Sequence, residues 1–304
     1  LSKIAVIGSI NMDIVNQVEA FPQPGETIHG RGTSYQPGGK GANQAVAAAL
    51  AGDGAIMIGA VGDDAFGSVL TDSLRSRGVD TAGVSVKDGS SGLAFITVSG
   101  SGENTIVLSA GSNGKLTEAD VSGDALAGAE IALLQNEIPA EVNLHALKLC
   151  AKFGIKACYN PAPAAKIPAE ALPLIDTLVV NETEAEVVSG LPVDSLEDAE
   201  RAARTLQAEG VGRVIVTLGG KGALALDRDG AALRVPAFKV EPADTTAAGD
   251  TFIGAYAAAT AAGQALAEAL RYAAAAAAIS VTRHGAQSSI PAKAEIERFL
   301  QERA

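Results

Sequence analysis

Short apolar runs of strand length alternate with longer segments of helical period along most of this 304-residue chain, which restricts the folds open to it. The runs fall at residues 3–7, 55–61, 131–134, 156–159, 177–180 and 214–218. Between them, residues 42–50, 66–75, 141–153, 182–189 and 196–209 read as helices. Strands that are apolar throughout and separated by helices predict a mainly parallel central sheet covered on both faces, a three-layer αβα sandwich. No linker, repeat or low-complexity tail divides the chain, so residues 1–304 are expected to form a single domain with one large core.

Two stretches break the rhythm. Residues 26–34 and 92–109 alternate with a period of two, the second folding back at Gly100-Ser101-Gly102-Glu103. Ligands in open α/β sheets bind beyond the carboxyl ends of the strands, so segments near 9–36 and 92–110 are expected either as a small β-sheet lid or as an ordinary edge hairpin. A hairpin over 223–235 precedes an Ala-rich stretch, 252–281, and a last helix over 292–303 behind Pro291. Gln264, Glu268 and Arg271 interrupt the Ala-rich stretch, which therefore reads as core helices and not as a membrane span.

Charge and missing motifs exclude several functions. A formal net charge of -12 argues against general affinity for nucleic acid or anionic membrane. Lys40 and Lys221 are each followed by Gly, so there is no Walker phosphate loop; neither G-x-G-x-x-G nor G-x-S-x-G occurs. His29, His145 and His284 are scattered without metal or triad spacing. Cys150 and Cys158 have no metal-ligand company and read as reduced buried thiols, with a disulfide as the alternative. No charged segment followed by an apolar one opens the sequence, so a cytoplasmic location is expected.

Five segments carry possible chemistry, each with a plainer reading beside it. Asp244-Thr-Thr-Ala-Ala-Gly-Asp250 leads into the Ala-rich helix, where unpaired N–H groups and the dipole attract an anion. Ala247, Ala248 and Gly249 are small enough for a phosphoryl group to approach, and Asp250 could take a proton from an attacking hydroxyl; alternatively Asp250 is a helix-stabilising acid. In Pro37-Gly-Gly-Lys-Gly-Ala-Asn-Gln44, glycines let backbone come near a ligand while Lys40 and Asn43 offer donors; the plainer reading is a solvated Gly-rich loop. Asn11 and Asp13, two apart in extended backbone, point to one side and suit vicinal hydroxyls, or simply make an Asx turn. Asn181 and Glu184 share a helix face that could hold Mg²⁺ through water, or form a capping box. Thr217-Leu-Gly-Gly-Lys-Gly222 could hold a nucleotide, or turn a strand into a hairpin.

Taken in order, Asn11/Asp13, GGKGAN, Asn181/Glu184, TLGGKG and the closing Gly249-Asp250 resemble the ribokinase-like (PfkB) carbohydrate kinase family over essentially the whole chain. The segments GSINMD, FPQPGET, PGGKGANQAVAAA, NPAPA, NETEAE and TRHGAQ are similar to its ribose-phosphorylating members. The resemblance implies ATP-dependent phosphorylation of D-ribose, with deoxyribose, a ketohexose or a nucleoside as alternative acceptors. It implies Asp250 as the base, with Ala247, Ala248 and Gly249 as the anion hole, and Asn11, Asp13, Gly39, Lys40, Asn43 and Glu137 around the sugar. Asn181, Glu184, Thr217, Gly219, Gly220 and Gly222, with Gly249, match positions around ATP and its Mg²⁺. Asp244, Thr246, Ser280, Arg283, Gly285 and Ser289 match the site of an activating K⁺, and the β-lid implies a homodimer. The family usually has Gly-Ala-Gly-Asp where this chain has Ala247-Ala248-Gly249-Asp250, so the hole is expected to survive provided the alanine keeps a negative φ. Gln135 and Asn136 depart from the pattern beside Glu137, which bears on the choice of sugar. A sugar- or nucleotide-binding protein without turnover is the reading from another class, and the presence of Asp250 counts against it.

Overall fold

The structure, a computed structural model, describes residues 3–303. Strand β1 (Ile4–Ile7) opens the main sheet. A hairpin of β2 (Asn11–Gln17) and β3 (Gly32–Gly38) follows, leading to helix α1 (Lys40–Ala51). Next come β4 (Ala55–Gly62), α2 (Ala65–Ser76) and β5 (Val79–Lys87), then a second hairpin of β6 (Gly92–Val98) and β7 (Asn104–Ser109). The chain returns to the main sheet through β8 (Ile131–Gln135), α3 (Ala140–Phe153), β9 (Lys156–Asn160) and β10 (Thr177–Asn181). It then adds α4 (Glu182–Ser189), α5 (Leu196–Ala208), β11 (Arg213–Thr217), β12 (Ala223–Leu226) and β13 (Ala232–Val235). Helices α6 (Ala248–Ala261), α7 (Leu266–Ser280) and α8 (Lys293–Gln301) close it.

The main sheet has nine strands in the order β13-β12-β11-β10-β9-β8-β1-β4-β5, parallel from β11 to β5, with β12 and β13 antiparallel at one edge. Successive strand residues point to opposite faces. In β1, Ile4 and Val6 join a core with α1, α6 and α7, whereas Ala5 and Ile7 join another with α3 and α5. The expected three-layer αβα sandwich is the observed one. After β1 the chain builds outward through β4 and β5, then crosses back to β8 on the other side, so the strand order reverses between β1 and β8. Such a reversal leaves a crevice at the carboxyl ends of the strands.

A separate four-stranded sheet, β3-β2-β6-β7, stands over those ends. Its strands lie close to the segments expected to leave the main rhythm, but the boundaries differ. Residues 26–31 lie outside the ladder, whose register ends where Gln17 pairs with Gly32; just before it the Arg31 N–H still donates to Gln17 O at 2.7 Å. The edge strand β5 was not expected; its Asp80, Thr81 and Ser85 dilute the apolar signal of a buried parallel strand. Cys150 and Cys158 are buried and unlinked, as reduced thiols, and burial pushes each up to about 12. Among the described residues no helix is long and apolar enough to cross a membrane.

Candidate active site

The carboxyl ends of β1, β8, β9, β10 and β11 deliver Ser9, Gln135, Asn160, Asn181 and Thr217 to one rim, and helices α1 and α6 begin there. Gly39, at φ 90°, turns the chain from β3 into α1 while its missing side chain lets the Asn11 N–H approach. At Gly38 a Cβ would collide with the Asp13 carboxylate, so glycine makes room for that acid.

Asn11 and Asp13 lie on β2 and project to the same side, as their spacing implied. Asn11 is buried, and its Oδ1 accepts from Asn113 Nδ2 at 2.7 Å; Asn113 also brackets the Ile10 N–H and carbonyl. That pairing turns the Asn11 amide nitrogen toward a cavity of about 360 Å³ lined by Asn11, Leu108, Asn113, Asn136, Glu137 and Ile138. Glu137 Oε2 accepts from Ser9 Oγ at 2.5 Å and from the Lys40 N–H at 3.1 Å, at the positive end of α1.

Asp250 sits in the first turn of α6 and is 7% exposed. Its Oδ2 accepts from Asn43 Nδ2 at 3.1 Å and its Oδ1 from Gln44 Nε2 at 3.0 Å. Burial alone would lower the pKa of the Lys40 ammonium, but the fields of Asp250, Glu137, Glu184 and Asp13 outweigh it and raise it. Burial, then the charges of Glu137 and Asp250, push the Asp13 carboxyl up to about 7 against the pull of Lys40. Four carboxylates therefore share one lysine, an arrangement rich in acceptors for the hydroxyls of a polyhydroxylated ligand.

At the head of α6 one expectation fails. Ala247 adopts φ 58°, ψ 14°, in the left-handed region and not at negative φ, because the chain must double back sharply to enter the helix. The Ala248 N–H donates to Thr245 O at 3.2 Å, so Gly249 and Asp250 begin the row of helix N–H groups that lack an intrahelical acceptor. Gly249 is exposed, with nothing within 4 Å of where its Cβ would stand.

Asn181 and Glu184 form the capping box that was the plainer reading: Asn181 Oδ1 accepts the Glu184 N–H at 2.8 Å, and Glu184 Oε2 accepts the Asn181 N–H at 3.0 Å. Asn160 Nδ2 adds a third donor at 3.2 Å, yet burial still raises the Glu184 carboxyl. Thr217 Oγ1 turns to Val180 O at 3.3 Å, and Gly219, Gly220 and Gly222 make the turn into β12, with space open at the first two. Nearby, Asp244 accepts from Thr246 and from the Gly285 N–H; these donors outweigh its burial and hold the carboxyl below the usual range. The Ser280 and Ser289 hydroxyls donate to Ala277 O and Ala286 O, and Arg283 pairs with Glu295.

Ser9, Gln44, Asn113 and Asn160 were not among the expected site residues, and Gln135 was expected only to bear on the choice of sugar. One signal was present for Gln44: two adjacent amides, Asn43 and Gln44, interrupt an Ala- and Val-rich helix that is otherwise all core. Gln135 proves fully buried and donates to Gln44, so it bears on Asp250 before it bears on any sugar.

The sequence profile described as pfkB family carbohydrate kinase matches residues 1–293. A ribokinase of Haemophilus influenzae is 42% identical over 301 residues, covering 98% of this chain and 98% of its own. A deoxyribokinase of Salmonella typhi is 38% identical over 301 residues, again 98% of both. Among solved structures, Arabidopsis thaliana ribokinase complexed with ribose and ATP superimposes with a TM-score of 0.91 at 33% identity, over 98% of each chain.

Proposed function

The chain belongs to the pfkB family of carbohydrate kinases, and from that premise we propose that it phosphorylates D-ribose at the 5-hydroxyl with ATP, yielding ribose 5-phosphate and ADP. The observation that carries this reading is the buried Asp250 carboxylate at the head of α6, gripped by two amides and within the fields of Lys40 and Asp13. Asp250 takes the proton of the 5-hydroxyl as its oxygen bonds to the γ-phosphorus and the bond to ADP breaks. Gly249 and the N–H groups beside it face the transferring oxygens, with Ala247 and Ala248 shaping the turn. Asn11, Asp13, Gly39, Lys40, Asn43 and Glu137 hold the sugar. Asn181, Glu184, Thr217, Gly219, Gly220 and Gly222 border the nucleotide.

Among the described residues no three His, Cys, Asp or Glu converge as a metal cage. A Mg²⁺ that keeps most of its water, with Glu184 and Asn181 as outer partners, fits that donor set and would neutralise phosphate charge when bound. The Asp244 carboxylate and the backbone oxygens around Ser280, Arg283, Gly285 and Ser289 fit a monovalent cation, K⁺. The β2, β3, β6 and β7 sheet serves as a lid whose exposed apolar residues pair two copies, within a single 1–304 domain working in the cytoplasm.

Deoxyribose is the second acceptor to weigh, since a deoxyribokinase is among the similar proteins. Steady-state kcat/KM over ribose, deoxyribose, fructose and adenosine, run in K⁺ and in Na⁺ buffers, tests acceptor and cation together. Ribose in K⁺ is expected to lead; another preferred sugar, or equal rates in both salts, overturns that part of the reading. Asp250→Asn is expected to lower kcat by roughly 10² or more with the fold intact, and near-normal turnover would remove Asp250 as the base.

A further inference from the structure

Gln44 is 0% exposed in the middle of the machinery, and its contact with Asp250 has so far been given no part in the chemistry. Its Oε1 accepts from Gln135 Nε2 at 2.7 Å, which turns its own Nε2 toward Asp250 Oδ1 at 3.0 Å and Asn160 Oδ1 at 3.5 Å. Flipped over, Gln44 would aim its oxygen at two other oxygens, so only this orientation satisfies the neighbours. Asn160 is fixed in the same sense, because its Nδ2 serves Val179 O and Glu184 Oε2. The result is a directed chain of donors from Gln135 through Gln44 to Asp250, with a branch through Asn160 to Glu184.

In this arrangement Gln135 Oε1 is buried and, like Asn43 Oδ1, accepts no hydrogen bond from the described residues. A Cβ at Gly8 would collide with that oxygen, so the main chain of the β1 end also makes way for Gln135. With Asn43 on Oδ2 and Gln44 on Oδ1, the Asp250 carboxyl plane cannot turn.

We infer that Gln44, locked by Gln135, is a positioning residue that holds the Asp250 carboxylate in its proton-accepting orientation and ties it to the Glu184 side of the site. The inference rests on the reading of Asp250 as the base. Small displacements of a reacting group carry large kinetic penalties, about 10²-fold for 1 Å, so Gln44→Leu is expected to lower kcat roughly 10- to 100-fold. Sugar KM should stay within about threefold, because both polar atoms of the Gln44 side chain are already engaged, Oε1 by Gln135 and Nε2 by Asp250 and Asn160.

The test measures kcat, sugar KM and ADP affinity for Gln44→Leu, alone and in an Asp250→Asn background. A kcat loss with ADP affinity retained, vanishing in the Asp250→Asn background, supports the inference, since a residue acting through Asp250 has nothing left to position. Normal kcat in folded Gln44→Leu, or the same further loss in the Asp250→Asn background, overturns it. If Gln44→Leu does not fold, Gln135→Met decides: it frees the Gln44 amide to turn, and an unchanged kcat there overturns the inference. Near-normal turnover in Asp250→Asn alone instead sinks the reading of the base, which keeps the two failures apart.

Discussion

Ala247 is the one non-glycine residue with positive φ among the described residues, and it stands at the entrance to α6 beside the proposed base. A left-handed alanine costs about 1–2 kcal/mol, against about 0.5–1 kcal/mol of extra chain entropy that glycine loses on folding. Ala247→Gly is therefore expected to stabilise the protein by about 0.5–1 kcal/mol in urea titration with kcat nearly unchanged. Destabilisation would mean that the turn is not strained. Asp13 carries a different strain, electrostatic in kind. Its folded pKa of about 7 lies above its ordinary 3.8, so the folded chain binds a proton that the unfolded chain has released between those values. The stabilisation this gives is full below about pH 4 and is lost as pH rises through 7. Asp13→Asn should therefore make the apoprotein more stable at pH 8 by roughly 1–2 kcal/mol, the shift being shared with Glu137 and Asp250, with little change near pH 4. If Asp13 grips a sugar hydroxyl as proposed, the same variant should lose about 10²-fold in kcat/KM for the sugar. Identical pH dependence of unfolding in the two proteins would contradict the assignment.

Helices α1 and α6 carry opposite halves of the site: Lys40, Asn43 and Gln44 on one, Asp250 on the other. Their spacing is set at Gly254, where a Cβ would collide with Ala47 Cβ and stand 2.7 Å from Ala48 N and Gln44 O. Close-packed small residues (Ala42, Ala45, Ala47 and Ala48 against Ala255 and Ala258) surround that contact in one buried core. Overpacking of this kind costs about 1–3 kcal/mol, so Gly254→Ala should destabilise the protein by that amount. Because the helices must part, the hydrogen bonds from Asn43 and Gln44 to Asp250 should lengthen and kcat should fall roughly tenfold. Loss of stability with undiminished kcat would show that the site does not depend on this crossing.

On the scale of the whole molecule, the four-stranded sheet is the part least covered by the rest. Edge strand β7 is exposed along its length, and Phe95, Ile106, Val107 and Leu108 stand in solvent, Val107 at 66%. An unpaired edge with apolar residues is what a second chain would cover. Val107→Glu is expected to shift a micromolar sample from dimer toward monomer in sedimentation velocity, and a wild-type chain that runs as a monomer would remove the pairing altogether.

The amino-acid sequence by itself determined the layered architecture, because apolar strand runs and helical periods are local patterns, and six of the parallel strands were legible from them. It also pointed to Asn11, Asp13, Lys40, Asn43, Asn181, Glu184 and Asp250, residues set in short glycine- or cap-marked segments and recognisable as a series, whereas Glu137 was expected from the family resemblance alone. Strand β5, the true limits of β3 and the left-handed turn at Ala247 were decided by pairing and closure, which no local window contains. The same holds for Gln44, Gln135, Asn113 and Asn160. An amide has the same signature in sequence whether it solvates a surface or orients a buried carboxylate, and only the packing of α1 against α6, β8 and β9 gives each one its partner and its direction.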